Sequence, residues 1–408
     1  MVLLALWIAS AAVAAAQPAR PPAARSKTPA APSAFWFPLR TIWTQPLAGP
    51  PVGPPAFDAG CAYVALRDGG LTAVSLTTGG VLWTRSLRLT APPAAAGGVL
   101  VAVTGAALSN LDPGTGATRW RVDLGAAATL TPLISPAGIT VVTSRPEVLV
   151  LRTVDGAVAW RLPLAAPATT APAADADHVY VGLADGTLLG ITAATGAVRW
   201  TRMLPAAPVR VTAAGAHLLA GADDDFLYAV VIGSGRVAWR WRAGGDVAGT
   251  VALDIRHAYV TSLANSLFSL GRKAGDLKWE RRLPSRPVSG PALYGDTLLL
   301  GTIAADLRFF AASSGAPAGT FELPGPPIHA PHVLPWNGPT PPRIVLLTAG
   351  GVLLSLGPDV EPPLVPLDPM PGRSVPKWDT RIDFEPPLVP MLYPPGRLLP
   401  PEVLPIRR

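Results

Sequence analysis

The chain has 408 residues, a formal net charge of +7 and a charged fraction of only 14%. Its 40 glycines and 49 prolines exclude a long helical architecture, because both residues interrupt helices. No basic stripe interleaved with aromatics appears, which argues against a nucleic-acid ligand. The positive surplus reads as an arginine-biased surface, with attraction to an anionic lipid or acidic protein surface as the alternative.

In chain order, VLLALWIASAAVAAA (Val2 to Ala16) is an apolar run of signal-peptide length, and Ala14-Ala15-Ala16 ahead of Gln17 supplies small residues for cleavage. Residues 1–16 are expected to direct export to the bacterial periplasm or beyond. The run is short for a membrane span and lacks an early Lys or Arg, which leaves an uncleaved anchor open; no other span is expected. Residues 17–35 read as an extended Pro/Ala-rich linker. Cys61 is the single cysteine, so no intramolecular disulfide can form and no lipoprotein cysteine follows the apolar run. Beside AYVAL it reads as a small buried residue.

The span 36–357 is periodic. Trp83, Trp120, Trp160, Trp200, Trp239 and Trp279 recur at intervals of 37, 40, 40, 39 and 40 residues, each with a glycine four residues earlier: Gly79, Gly116, Gly156, Gly196, Gly235 and Gly275. A period near 40 marks an array of one supersecondary unit. Within the unit, YVGLAD and TLLGIT alternate apolar with small or polar residues around Asp185-Gly186, a hairpin signal, and Thr195-Gly196 hands over to AVRWTRML. PATTAPAAD has room for a fourth short strand. The unit is therefore an antiparallel four-stranded sheet and the fold class is all-β. Such a sheet cannot hide both faces alone, so copies must stack, with the tryptophans as wedges and the glycines as bare surfaces on which a neighbouring indole lies.

The windows AVSLTTGGVLW (Ala73 to Trp83), GITAATGAVRW (Gly190 to Trp200) and SLGRKAGDLKW (Ser269 to Trp279) resemble the tryptophan-docking motif of PQQ-like, quinoprotein-type β-propellers. That resemblance implies four-stranded blades closed into a ring. Six motifs end in tryptophan; a seventh, FFAASSGAPAG (Phe309 to Gly319), keeps Gly315 but has Gly319 in place of the indole. PRIVLLTAGGVLLSLG (Pro342 to Gly357) supplies inner strands of an eighth unit, and RTIWTQPL (Arg40 to Leu47) carries Trp43, 40 residues before Trp83. The expectation is an eight-bladed β-propeller whose last blade is closed by the N-terminal strand.

Within that class the quinoprotein dehydrogenases require a paired-cysteine ring and a calcium held by carboxylates, and one cysteine cannot make the ring. Asp223, Asp224 and Asp225 fall where other units have Asp68-Gly69 or Asp185-Gly186, so a turn role is weighed above a calcium site. His178 and His257 occupy one repeat position, His217 stands alone, and His329 and His332 form the only close pair, HAPH, in a proline-rich loop. No catalytic residue, cofactor or metal site is expected. Length, blade number and closure are instead similar to the BamB family of the outer-membrane β-barrel assembly machinery, which also tends to lose the docking tryptophan of its penultimate blade. This implies a non-catalytic scaffold, a monomer within a complex, that binds protein partners of outer-membrane assembly through inter-blade loops. The chain departs from that family in lacking the lipoprotein cysteine, an arginine in LAAPATTAP (Leu164 to Pro172), and acidic residues in the short turn LPAAPVRVTAAG (Leu204 to Gly215). An extracytoplasmic sensor or carbohydrate-associated module is the alternative.

The tail, 358–408, carries EPPLVP twice, at Glu361 to Pro366 and Glu385 to Pro390. Its prolines remove donors and fix φ, so it is expected to be largely extended or disordered. Trp378, Phe384, Leu388, Met391, Leu392 and Tyr393 give it apolar anchors that could dock on the ring or on a partner, the alternative being a solvated tail with no role.

Overall fold

The computed structural model describes residues 36–359 apart from 59, 129, 338 and 339. The expected signal segment, the linker and the tail anchors Trp378, Phe384, Leu388, Met391 and Tyr393 lie outside the described residues.

The described residues form eight antiparallel four-stranded sheets. In chain order the blades cover 56–86, 94–123, 133–163, 173–203, 208–242, 247–282 and 292–322, and the eighth joins 332–358 to the strand Leu39–Pro46. In the first seven blades the strands follow sequence order from the innermost outward, and in the eighth the outermost place is taken by Leu39–Pro46. Innermost strands of successive blades touch one another around the axis. The outermost strands face solvent, as in Val198–Met203, where exposed residues outnumber buried ones.

The two middle strands of each blade are buried on both faces, as in Gly138–Thr143 and Glu147–Leu151. Both faces are covered because each sheet is sandwiched between two others, the condition that removes the alternation of a half-solvated strand. The small residues that make YVGLAD look alternating serve close approach instead. A Cβ on Gly182 would lie 2.7 Å from Pro208 of the next blade. Eight apolar clusters result, one between each pair of neighbouring blades.

The ring closes as expected. Leu39–Pro46 pairs antiparallel with Val352–Pro358, from Leu39 opposite Pro358 to Pro46 opposite Val352. Its partner strand Val352–Pro358 ends one residue past Gly357, the expected end of the array. Two inner strands are longer than the rest. Pro208–Ala214 and Val247–Leu253 have seven residues each, where the other innermost strands have two or three. The segment from Leu204 to Gly215, read from sequence as a short turn, is therefore mostly strand.

Candidate functional site

Each repeat tryptophan meets the glycine of the following unit. Trp43 lies on Gly79, Trp83 on Gly116, Trp120 on Gly156, Trp160 on Gly196, Trp200 on Gly235, Trp239 on Gly275 and Trp279 on Gly315, and a Cβ at any of these glycines would fall 2.5–2.7 Å from the indole. The same glycines have φ of +66° to +75°, a left-handed conformation that side chains resist. Each indole N–H donates to the carbonyl three residues before its glycine, at 2.6–3.2 Å: Leu76, Pro113, Thr153, Ala193, Ile232, Arg272 and Ala312. Arg85, Arg202 and Arg281, two residues beyond their tryptophans, donate to the carbonyl of the glycine itself. One turn thus offers an indole a flat face and a buried acceptor together.

The eighth joint is built differently. Gly319 replaces the indole of the seventh blade, and the ring of Phe37 occupies the space above it. Trp36, 1% exposed, packs edge-on against Tyr294 at 5.6 Å, and Phe37 packs edge-on against Phe309 at 4.9 Å. The substitution has a topological reason. The outermost strand of the eighth blade arrives from the N-terminal side of the chain, so no turn leads into it to present a glycine. Sequence reasoning missed Trp36 and Phe37 because they match no repeat position; the lost indole at Gly319 was the only signal.

The titratable candidates are absorbed by local structure. Asp175 accepts hydrogen bonds from the backbone N–H of His178 and from the Tyr180 hydroxyl, both at 2.7 Å, and faces His178 Nδ1 at 3.3 Å. Asp254 repeats the arrangement with His257 and Tyr259. Burial raises the Asp254 carboxyl, but hydrogen bonds from Tyr259, His257 and two backbone amides outweigh it and hold the pKa at about 2. Each tyrosine in turn packs against its own blade's indole, Tyr180 with Trp200 at 5.9 Å and Tyr259 with Trp279 at 6.0 Å. In the first blade Cys61 takes the histidine position; it is half-buried rather than fully buried. The aspartates of the DDD run form a turn in which Asp225 has φ 64° and Asp224 accepts from Phe226 N and the Tyr228 hydroxyl.

His329 lies 8% exposed in the linker to the eighth blade, and His332 opens the inner strand His332–Leu334 rather than lying in a loop. His329 Nε2 accepts from Leu347 N at 3.0 Å, so the Nδ1 proton points to Ala330 O. Burial drives this ring to the neutral form, with a pKa of about 4. Both nitrogens are occupied, which leaves no lone pair for a metal. Among the described residues no three His, Cys, Asp or Glu side chains come together.

One cavity of 370 Å³ opens among the innermost strands, lined by Phe57, Arg210, Thr250, Ser289, His329 and His332 among others. Four blades and the linker into the seventh contribute to it, and residues nearly three hundred positions apart meet. The His332 ring stacks flat on Phe57, 3.9 Å between centroids and 3° between planes. Across the cavity the strand Val247–Leu253 bulges between Ala248 and Ala252.

Eight blades, seven of whose joints set an indole on a glycine, define a PQQ-like β-propeller. The chain belongs to the family described as outer membrane protein assembly factor BamB, whose model matches residues 40–108, 104–216 and 205–329. No curated protein matches the chain. Among solved structures, BamB from Moraxella catarrhalis is 20% identical, with a TM-score of 0.66 over 78% of this chain and 99% of that one. The computationally designed Ika8 protein has a TM-score of 0.66 at 14% identity, over 76% of this chain and 98% of its own. Quinohemoprotein alcohol dehydrogenase from Comamonas testosteroni has a TM-score of 0.63 at 11% identity, over 78% and 76%. At such identities the likeness to these structures is one of fold.

Proposed function

We propose that this chain is a non-catalytic, exported protein-binding scaffold of the BamB type, working in the periplasm with components of outer-membrane protein assembly. The observation that supports this reading is family membership across 40–329. The indole joints act as cement that keeps the ring rigid while its connecting loops meet partners. A quinoprotein dehydrogenase is the competing reading that the fold likeness raises. It is disfavoured by the single cysteine and by the commitment of His329, Asp175, Asp224 and Asp254 to backbone and tyrosine partners.

Affinity capture of the full chain from its native envelope tests the proposal. Recovery of a β-barrel assembly component is expected, and purified protein given the quinone and calcium is expected to reduce no dye with alcohols or sugars. Turnover in the dye assay, or capture that returns no such component, would overturn it.

A further inference from the structure

The axial cavity breaks the repeat. Six innermost strands are two or three residues long, whereas those of the fifth and sixth blades have seven, and both carry register shifts where they border the cavity, between Pro208 and Arg210 and between Ala248 and Ala252. Bulges of this kind re-aim side chains and cluster beside binding sites. Structural economy does not ask for them, since the other blades close the axis without them.

The lining is chemically one-sided. Arg210 brings a permanent cation, and no aspartate or glutamate lines the cavity. Arg210 is exposed to the cavity, and its guanidinium makes no hydrogen bond or ion pair among the described residues. Thr250 adds a hydroxyl, Ser289 turns its own toward Gly290 O at 3.1 Å, and the parallel Phe57–His332 pair adds a flat aromatic wall. A guanidinium fork matches the two oxygens of a carboxylate, and the Thr250 hydroxyl supplies a donor for a remaining lone pair. The cavity is of small-ligand size.

We propose that the axial cavity, centred on Arg210 with Thr250 and the Phe57–His332 wall, is a binding site for a carboxylate group. This is separate from the scaffold reading, which concerns the loops and would stand or fall without it. The carboxylate has two sources, a free organic acid or an acidic side chain that a partner segment inserts along the axis.

Calorimetric titration of the full chain with succinate, with its neutral isostere succinamide, and with a short aspartate-rich peptide tests the site. Saturable one-to-one binding of succinate or of the peptide is expected, with no binding of succinamide. Arg210→Gln should weaken the binding by about tenfold or more, and Arg210→Lys by less, because the charge stays and the fork is lost. The melting temperatures of both variants should match the parent, since the exposed Arg210 side chain makes no hydrogen bond or ion pair among the described residues. Binding of succinate points to a free acid; binding of the peptide alone points to a partner segment. Equal binding of succinamide, no saturable binding of either acid, or an affinity unchanged in Arg210→Gln would overturn the proposal.

Discussion

At the scale of single residues, the joint between neighbouring blades is a pairing of one side chain with the absence of another. Trp160 is 9% exposed, covers Gly196 and donates to Ala193 O at 2.8 Å. Truncating such an aromatic forfeits its burial and leaves a cavity, about 3–5 kcal/mol in all. Trp160→Ala and Trp200→Ala are therefore expected to lower the melting temperature far more than Trp378→Ala, which falls outside the array; equal shifts would remove the indoles from their role. Gly196→Val attacks the same joint from the other side. Its Cβ would lie 2.7 Å from the indole on a backbone at φ +74°, so a loss at least as large as that of Trp160→Ala is expected in the same melting experiment. His329 carries a different signature. Its pKa falls from 6.5 in the unfolded chain to about 4 in the fold, so between these values the unfolded state binds more protons and stability must rise with pH. The contribution is complete above pH 6.5 and is lost as pH falls toward about 4, on the order of 3 kcal/mol. Denaturant unfolding from pH 7 to pH 4 should show this slope, and His329→Gln should flatten it. Asp254 acts lower, losing its contribution only as pH falls below 3.8 toward about 2.

At the scale of elements, the seam between the seventh and eighth blades differs from the other joints, because Trp36 and Phe37 reach it from ahead of the closing strand. Trp36→Ala with Phe37→Ala should destabilise the ring by several kcal/mol while leaving the pairing of Leu39–Pro46 intact. Amide exchange would show it as faster opening confined to 292–358; uniform loss across all blades would contradict it. The contrast explains what was legible in the sequence. Strand count, hairpins and the tryptophan–glycine register repeat every 40 residues or so, and repetition turns a weak local signal into a strong one. The seam was legible only as a gap at Gly319, since the residues that fill it are used once. The Asp–His–Tyr cluster lay in plain view as D-x-x-H-x-Y at Asp175 and Asp254, but two copies gave the histidine a place without revealing its carboxylate. The axial cavity was not legible at all. Phe57, Arg210, Thr250 and His332 belong to four different blades, and nothing in their local sequence announces that they face one another.

At the scale of the whole molecule, a ring of eight units has no natural first or last member, yet a chain has both. The break is hidden by joining Leu39–Pro46 to Val352–Pro358, which removes the open edges that an unclosed array would present. The strand needed last is synthesised first. Roughly 320 residues of chain must follow it before its partner is complete, so closure is the most sequence-distant strand pairing among the described residues and the one whose formation is slowest to be rewarded. Until then both the waiting strand and the growing end of the array can pair with strands of another copy. A product interrupted anywhere before Val352 keeps those edges permanently, whatever the condition of its finished blades. The seam thereby makes completeness of synthesis a property that can be sensed from outside: a protease or chaperone that recognises unpaired strand edges will spare whole rings and retain unfinished ones.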